Sequence, residues 1–242
     1  MKPLRDGSIE RLLDRQARLW ESQPALESRE ADAPRANLVI SQHPFSGARE
    51  LAQRVATLSG WEVFDRQILD ALHSHDKLGK SVLDSLDERL LSYREDWLYH
   101  IFVPGHTSST GYVRRLSELV FAIGMRGHNV FVGRGASFIL PREHRLAVLA
   151  VRSFDSRVEH WLQANSSKNR NAAKRALTRM DRERAEFIWR SFHREVDDPL
   201  AYDLCINLDA LETEQAARIV LEALRARFRD EVPSASRTRP AP

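Results

Sequence analysis

The chain has 242 residues, enough for one sizeable core with extensions and too few for two full domains of ordinary size. Its hydrophobic share of 42% and charged share of 29% fit a soluble globular protein, and no apolar run approaches the roughly 20 residues that span a bilayer. With 37 Lys and Arg against 34 Asp and Glu, the formal charge is only +3, so bulk charge gives no reason to expect a nucleic-acid partner.

The lone Cys205 excludes an internal disulfide and a cysteine zinc cluster. Met1 to Asp6 lack the apolar stretch of an export signal, so a cytoplasmic location is expected. The setting Leu204-Cys205-Ile206 predicts a buried structural thiol.

Near the start, Ile9, Leu12, Leu13, Gln16 and Trp20 fall at helical spacing, so Ser8 to Glu21 reads as a short amphipathic helix. Its apolar stripe needs a docking surface, within this chain, on a second copy or on a protein partner. A connector without periodicity follows to residue 36, and the core domain is expected over 37–230. Five segments rich in Val, Ile, Leu and Phe read as buried strands: Leu38 to Ser41, Glu62 to Phe64, Asn129 to Gly133, Leu146 to Val151 and Asp203 to Leu208. Helical patterns alternate with them over Arg49 to Leu58, Gln67 to His73, Ser81 to Phe102, Val113 to Met125 and Arg157 to Ala164. Such alternation predicts an α/β fold with a five-stranded parallel sheet covered on both faces. The last helix is expected to start in a capping box from Asp209 to Glu212, with Ala216, Ile219, Val220, Ala223 and Leu224 as its apolar face. Residues 231–242, rich in Pro, Ser and Arg, cannot build a core and read as a disordered tail.

A strand that runs through a glycine turn into a helix points backbone N–H groups and the positive end of the helix dipole at phosphate. Here the stretch is Val39-Ile40-Ser41-Gln42-His43-Pro44-Phe45-Ser46-Gly47-Ala48-Arg49-Glu50. It lacks the Gly-Lys-Ser/Thr ending of a Walker A loop and, taken alone, reads equally as an ordinary turn.

Four segments in order resemble the cytidylate kinase-like family. They are Ser46-Gly47-Ala48-Arg49-Glu50 after a strand; Phe64-Asp65-Arg66-Gln67-Ile68-Leu69; Val130-Phe131-Val132-Gly133-Arg134-Gly135-Ala136-Ser137-Phe138-Ile139-Leu140; and Asp181-Arg182-Glu183-Arg184 with Asp198-Pro199-Leu200-Ala201-Tyr202-Asp203-Leu204-Cys205-Ile206-Asn207. The third is the most specific, and together they cover about residues 37 to 228. The resemblance implies a three-layer P-loop NTPase fold with a helical acceptor-binding insert and a basic helical lid at about 165–196. It implies transfer of phosphate from ATP, with Mg2+, to a nucleoside monophosphate or similar small acceptor.

By the same resemblance, Ser46, Gly47, Ala48, Arg49 and Glu50 would cradle the donor phosphates, and Glu50 would meet the metal. Arg134 would hold the acceptor phosphate, flanked by Gly133 and Gly135. Asp65, Arg66, Arg114 and Arg157 would help to bind the substrate, Arg157 from just after the fourth strand. Asp181, Arg182 and Arg184 would be delivered by the lid. Each position has a plainer reading beside it. Ser46-Gly47 can be a simple helix start, and Gly133 and Gly135 can merely turn the chain with Arg134 in solvent. Asp65 can be an N-cap, and Arg114, Arg115, Arg152, Arg157 and the lid arginines can be surface charges. The basic helix could also meet a nucleic-acid backbone.

Phe45, preceded by Pro44, stands where the family has glycine, Ala48 stands at the usual P-loop lysine position, and Glu50 replaces the metal-binding hydroxyl of a Walker A loop. Gly135 departs from the Asp of typical cytidylate kinases. Three readings therefore stand together: a nucleotide kinase, a catalytically silent nucleotide-binding relative, and a regulatory or interaction protein that uses the N-terminal helix and the insert Ser81 to Gly111. The nine histidines show no metal-ligand spacing.

Overall fold

The computed structural model describes residues 35–74, 80, 82–83, 88–101, 111–229 and 232. Its centre is a sheet of β1 (Asn37–Gln42), β2 (Glu62–Phe64), β3 (Asn129–Val132), β4 (Leu146–Val151) and β5 (Leu204–Asn207). The five strands run in the order β2-β3-β1-β4-β5, with every pairing parallel. In β1, Leu38 pairs in register with Val130 on one side and Leu146 on the other. Side chains alternate across a strand, so the two faces need different partners. Leu38, Ile40, Val130, Val132 and Val148 face one layer, which holds α1 (Ala48–Ser59) and the last helix. Val39 and Phe131 face the other, together with α2 (Arg66–Ser74), α3 (Glu88–Ile101), α4 (Gly111–Gly124) and the short α5 (Ala136–Ile139). The three-layer α/β expectation therefore holds.

Two further helices follow β4: α6 (Phe154–Ala164) and α7 (Arg170–Phe192). α7 spans the predicted lid. Its first half packs Ala173 and Leu177 on Val158 of α6, and its end buries Ile188 and Phe192 against the α4–α5 layer. The last helix, α8 (Thr213–Arg227), buries Ala216, Ala217, Val220, Leu221 and Leu224 on α1 and the sheet. This face is rotated from the expected one, and Ile219 stands 42% exposed.

Several local expectations are corrected. The capping box of α8 is built by Glu212 and Gln215, not by Asp209 and Glu212. Asp209 instead accepts a hydrogen bond from the Ser153 N–H at 2.7 Å, while Ala210 and Leu211 turn back onto the Asn207 carbonyl. Cys205 is exposed rather than buried, because β5 is an edge strand in which Ile206 turns inward and its neighbours outward. Of the insert, Trp97 is half-buried and donates its indole N–H to the Ile139 carbonyl at 2.6 Å, whereas Tyr99 is exposed; Phe102 lies outside the described residues. The N-terminal helix over 8–21 also lies outside them, as does the tail except for Val232, which packs into the α1–α8 core. Among the described residues no helix is long and apolar enough to cross a membrane.

Candidate functional site at the carboxyl edge of the sheet

All five strands are parallel, so every loop that leaves a carboxyl end opens on the same edge, where open α/β sheets bind ligands. The loop after β1 makes a tight turn in which the Ser46 N–H donates to the His43 carbonyl at 3.1 Å. Pro44 and Phe45 are its central residues, and the φ of +63 at Phe45 is the left-handed value that glycine normally supplies at that place. Gly47 follows at φ +92 as the N-cap of α1, with no side-chain cap. Among the described residues, the N–H groups of Gly47, Ala48, Arg49 and Glu50 find no hydrogen-bond partner. The first turn of a helix thus presents its free donors and its positive dipole end beneath the loop. Ser46 is fully buried, and its hydroxyl also lacks a partner.

On the neighbouring strand, β3 ends in Gly133, Arg134 and Gly135, all left-handed, with φ of 75, 57 and 73. Gly135 is required twice over, since a Cβ there would lie 2.3 Å from the Phe192 ring as well as at positive φ. This turn throws Arg134 into the gap between α2, α4 and α7. Its guanidinium pairs with Asp70 and lies 5.6 Å from the Tyr112 ring centroid and 6.0 Å from that of Phe187. Asp70 also accepts from the Tyr112 hydroxyl at 2.7 Å. Burial, reinforced by this bond, pushes the Tyr112 phenol up to about 12. Arg134 does not face solvent.

Other arginines at this edge are likewise met by carboxylates. Arg49 reaches across to Asp65 at 2.7 Å, while Asp65 caps α2 by accepting from the Gln67 and Ile68 N–H groups. Arg157, almost wholly buried in α6, forms a two-point pair with Asp181 at 2.8 and 3.0 Å and reaches the Pro44 carbonyl at 3.5 Å. Arg184 donates to Asp197 at 2.8 Å and to the Ser41 hydroxyl at 3.2 Å. His43 approaches the same Asp197 oxygen at 3.1 Å. His43, and after it Arg184, holds the Asp197 carboxyl well below the usual carboxylate range.

The edge therefore brings together Ser46, Gly47, Ala48, Arg49, Asp65, Gly133, Arg134, Gly135, Arg157, Asp181 and Arg184. It does not bring in Arg182, which lies on the outer side of α7 in an ion pair with Glu186 at 2.8 Å, nor Arg114, which pairs with Glu118 at 3.3 Å on exposed α4 surface. Arg66 is exposed and spaced to Asp70 at 3.5 Å, and Glu50 is exposed in the first turn of α1. Asp70 and Tyr112 were missed by motif reading. Their only local signal is the spacing from Arg66 to Asp70, which puts the aspartate on the face of α2 that follows the Asp65 cap.

A sequence profile of the cytidylate kinase-like family matches residues 37–210. No curated protein matches the chain significantly. Among solved structures, an uncharacterized protein from Eubacterium ventriosum ATCC 27560 is similar with a TM-score of 0.63 and 15% identity, over 79% of this chain and 99% of that one. That likeness is one of fold. Shikimate kinase from Bacteroides thetaiotaomicron aligns with a TM-score of 0.45 and 14% identity, over 78% of this chain and 98% of its own.

Proposed function

This chain belongs to the cytidylate kinase-like family, and on that premise we propose that it moves the γ-phosphoryl group of ATP onto a nucleoside monophosphate or a similar small acceptor. The observation that carries the reading is the placement of two anion-receptive groups on adjacent strands. One is the uncapped start of α1 after β1, and the other is Arg134 after β3. The free N–H groups of Gly47 to Glu50 would receive the donor phosphates. Arg134 would take the acceptor phosphate with its fork of donors. An acceptor oxygen would form the new P–O bond as the bond from the γ-phosphorus to the β-phosphate oxygen breaks, giving ADP and the phosphorylated acceptor. Arg184 and Arg157, with Asp181 orienting Arg157, stand where α7 meets the loop and would neutralise the transferred charge. Arg182 would have to leave Glu186 to contribute.

The residues also suit Mg2+ arriving with the nucleotide. No group of three His, Cys, Asp or Glu among the described residues forms a metal site of its own, and Glu50 offers one exposed carboxylate beside the free N–H groups. Magnesium usually takes one or two carboxylates together with phosphate oxygens, and it would supply charge neutralisation on the transferring phosphoryl group.

Phe45 favours a second reading, a nucleotide-binding protein without turnover. Its side chain packs with the Val158, Ala173 and Leu177 cluster, tying the loop to α6 and α7. Calorimetric titration with ATP and Mg2+, then with each nucleoside monophosphate, followed by a turnover assay, separates the two. Binding of ATP and of one monophosphate, the latter lost in Arg134→Ala, with ADP formed, supports the kinase. Binding without ADP supports the silent relative, and no nucleotide binding sinks both.

A further inference from the structure

The loop lacks the lysine that a Walker A sequence would place at Ala48, so the charge that neutralises a bound phosphate chain has to come from elsewhere. Arg49, the nearest cation in sequence, is turned away, because its guanidinium is held by Asp65 at the end of β2. Arg152 is the better placed. It is the first residue after β4, on the strand adjoining β1, and the loop is tied to that strand by the bond from the His43 N–H to the Ala150 carbonyl at 3.3 Å. Its guanidinium lies directly against the helix start, since a Cβ on Gly47 would stand 3.5 Å from one terminal nitrogen and 3.8 Å from the central carbon.

What separates Arg152 from the other arginines of this edge is the use made of its charge. Arg49, Arg134, Arg157 and Arg184 are each bound to an aspartate by contacts of hydrogen-bond length. Among the described residues the one carboxylate paired with Arg152 is that of Asp209, at 3.8 Å and so beyond hydrogen-bond length, and it accepts instead from the Ser153 N–H. Its own hydrogen bonds go to neutral acceptors: the Leu208 carbonyl at 2.6 Å and the His160 ring at 2.6 Å. Because a guanidinium only donates, His160 Nε2 accepts, and its Nδ1 is left to donate to the Ser156 carbonyl at 2.8 Å. These two contacts orient the fork without cancelling its charge. Among the described residues its Nε is buried with no hydrogen-bond partner, as are those of Arg134 and Arg157.

We propose that Arg152 is the phosphate-binding cation that serves the loop in place of the absent lysine, held in position by His160 and the Leu208 carbonyl. The ligand it would take is the polyphosphate chain seated on the N–H groups of Gly47 to Glu50. This assignment rests on the nucleotide-binding reading above and adds to it the residue that supplies the charge.

The test uses the full chain and two variants, Arg152→Gln and Arg152→Lys, titrated with ATP–Mg2+ and with inorganic tripolyphosphate, beside thermal unfolding of each. The glutamine variant is expected to lose about 10- to 100-fold in affinity for both probes, the size of a lost charge-assisted contact. The lysine variant, which keeps the charge but loses the fork, is expected to recover most of that loss. If Arg152→Gln binds both probes within twofold of the parent, the assignment falls while the nucleotide-binding reading stands. If lysine and glutamine are equally impaired, Arg152 is a structural clip and the assignment falls again, a comparison that holds even where glutamine lowers stability. A parent chain that binds neither probe removes the nucleotide reading and this assignment together.

Discussion

Asp70 and Arg134 form an ion pair across 64 positions of sequence, joining the helix after β2 to the turn after β3. The aspartate therefore sits where an acceptor phosphate would have to approach. Removing its charge while keeping its shape relieves a repulsion and frees the guanidinium. Asp70→Asn is expected to tighten binding of the phosphate-bearing acceptor about tenfold, an effect of one charge at short range in a half-buried site. Titration with the monophosphate that binds the parent chain checks this; weaker binding in the variant would show that Asp70 positions Arg134 more than it competes for it.

The two glycines that flank Arg134 differ in what they protect. At Gly133 a Cβ meets nothing within 4 Å among the described residues, so Gly133→Ala is expected to carry only the backbone cost of φ +75, about 1 kcal/mol. At Gly135 the same change also drives a methyl into the Phe192 ring, which adds roughly 1–3 kcal/mol of overpacking. Denaturant unfolding should rank the parent above Gly133→Ala and that variant above Gly135→Ala. The reverse order would mean that α7 moves aside at little cost.

Phe45 combines an unfavourable backbone with favourable packing. Truncation to Ala loses the contact with the Val158–Leu177 cluster while keeping the positive φ, and is expected to cost about 1–2 kcal/mol. Phe45→Gly loses the same contact but relieves the backbone, and should be less destabilised than Phe45→Ala by about 0.5–1 kcal/mol. Equal stabilities in the two variants would contradict the left-handed turn.

Asp197 links stability to pH. Its folded carboxyl is held below the unfolded value by His43 and Arg184, so its contribution is fully present above about pH 4 and is lost as pH falls toward the folded value. The Tm gap between the parent and Asp197→Asn should be widest near neutrality and close in acid. The side chain is 60% exposed, so the gap corresponds to no more than about 1 kcal/mol. A gap that stays constant from pH 7 to pH 3 would remove the ion pair from the account.

The sheet was legible because each strand is a short apolar run bounded by turn residues, and buried parallel strands need little else. Gly133-Arg134-Gly135 was legible for a related reason, as two glycines around a charged residue after a strand signal an obligatory turn. Cys205 was misread because its apolar neighbours describe one strand, whereas exposure depends on β5 lying at the sheet edge. The start of α8 was misplaced because Asp209-x-x-Glu212 and Glu212-x-x-Gln215 are overlapping signals of the same kind. Only the competing claim of the Ser153 N–H on Asp209 decides between them. Asp70 carries only its i,i+4 spacing from Arg66 and Tyr112 no local mark, since what gives them a role is Arg134, brought to them by the sheet order. Arg152 and Arg157 look alike in sequence; the strand end points one at Gly47, and the first turn of α6 points the other at Asp181.

The pairing of Arg49, Arg134, Arg157 and Arg184 with Asp65, Asp70, Asp181 and Asp197 gives the edge many cations and little net field. An anionic ligand arriving from solvent would therefore not be drawn in from a distance by these pairs, and its association rate is expected in the unsteered range of about 10⁵–10⁶ M⁻¹s⁻¹, with little dependence on ionic strength. Capture at these four guanidiniums would become a matter of partner exchange at contact, in which each phosphate oxygen that gains one of them would release an aspartate to water.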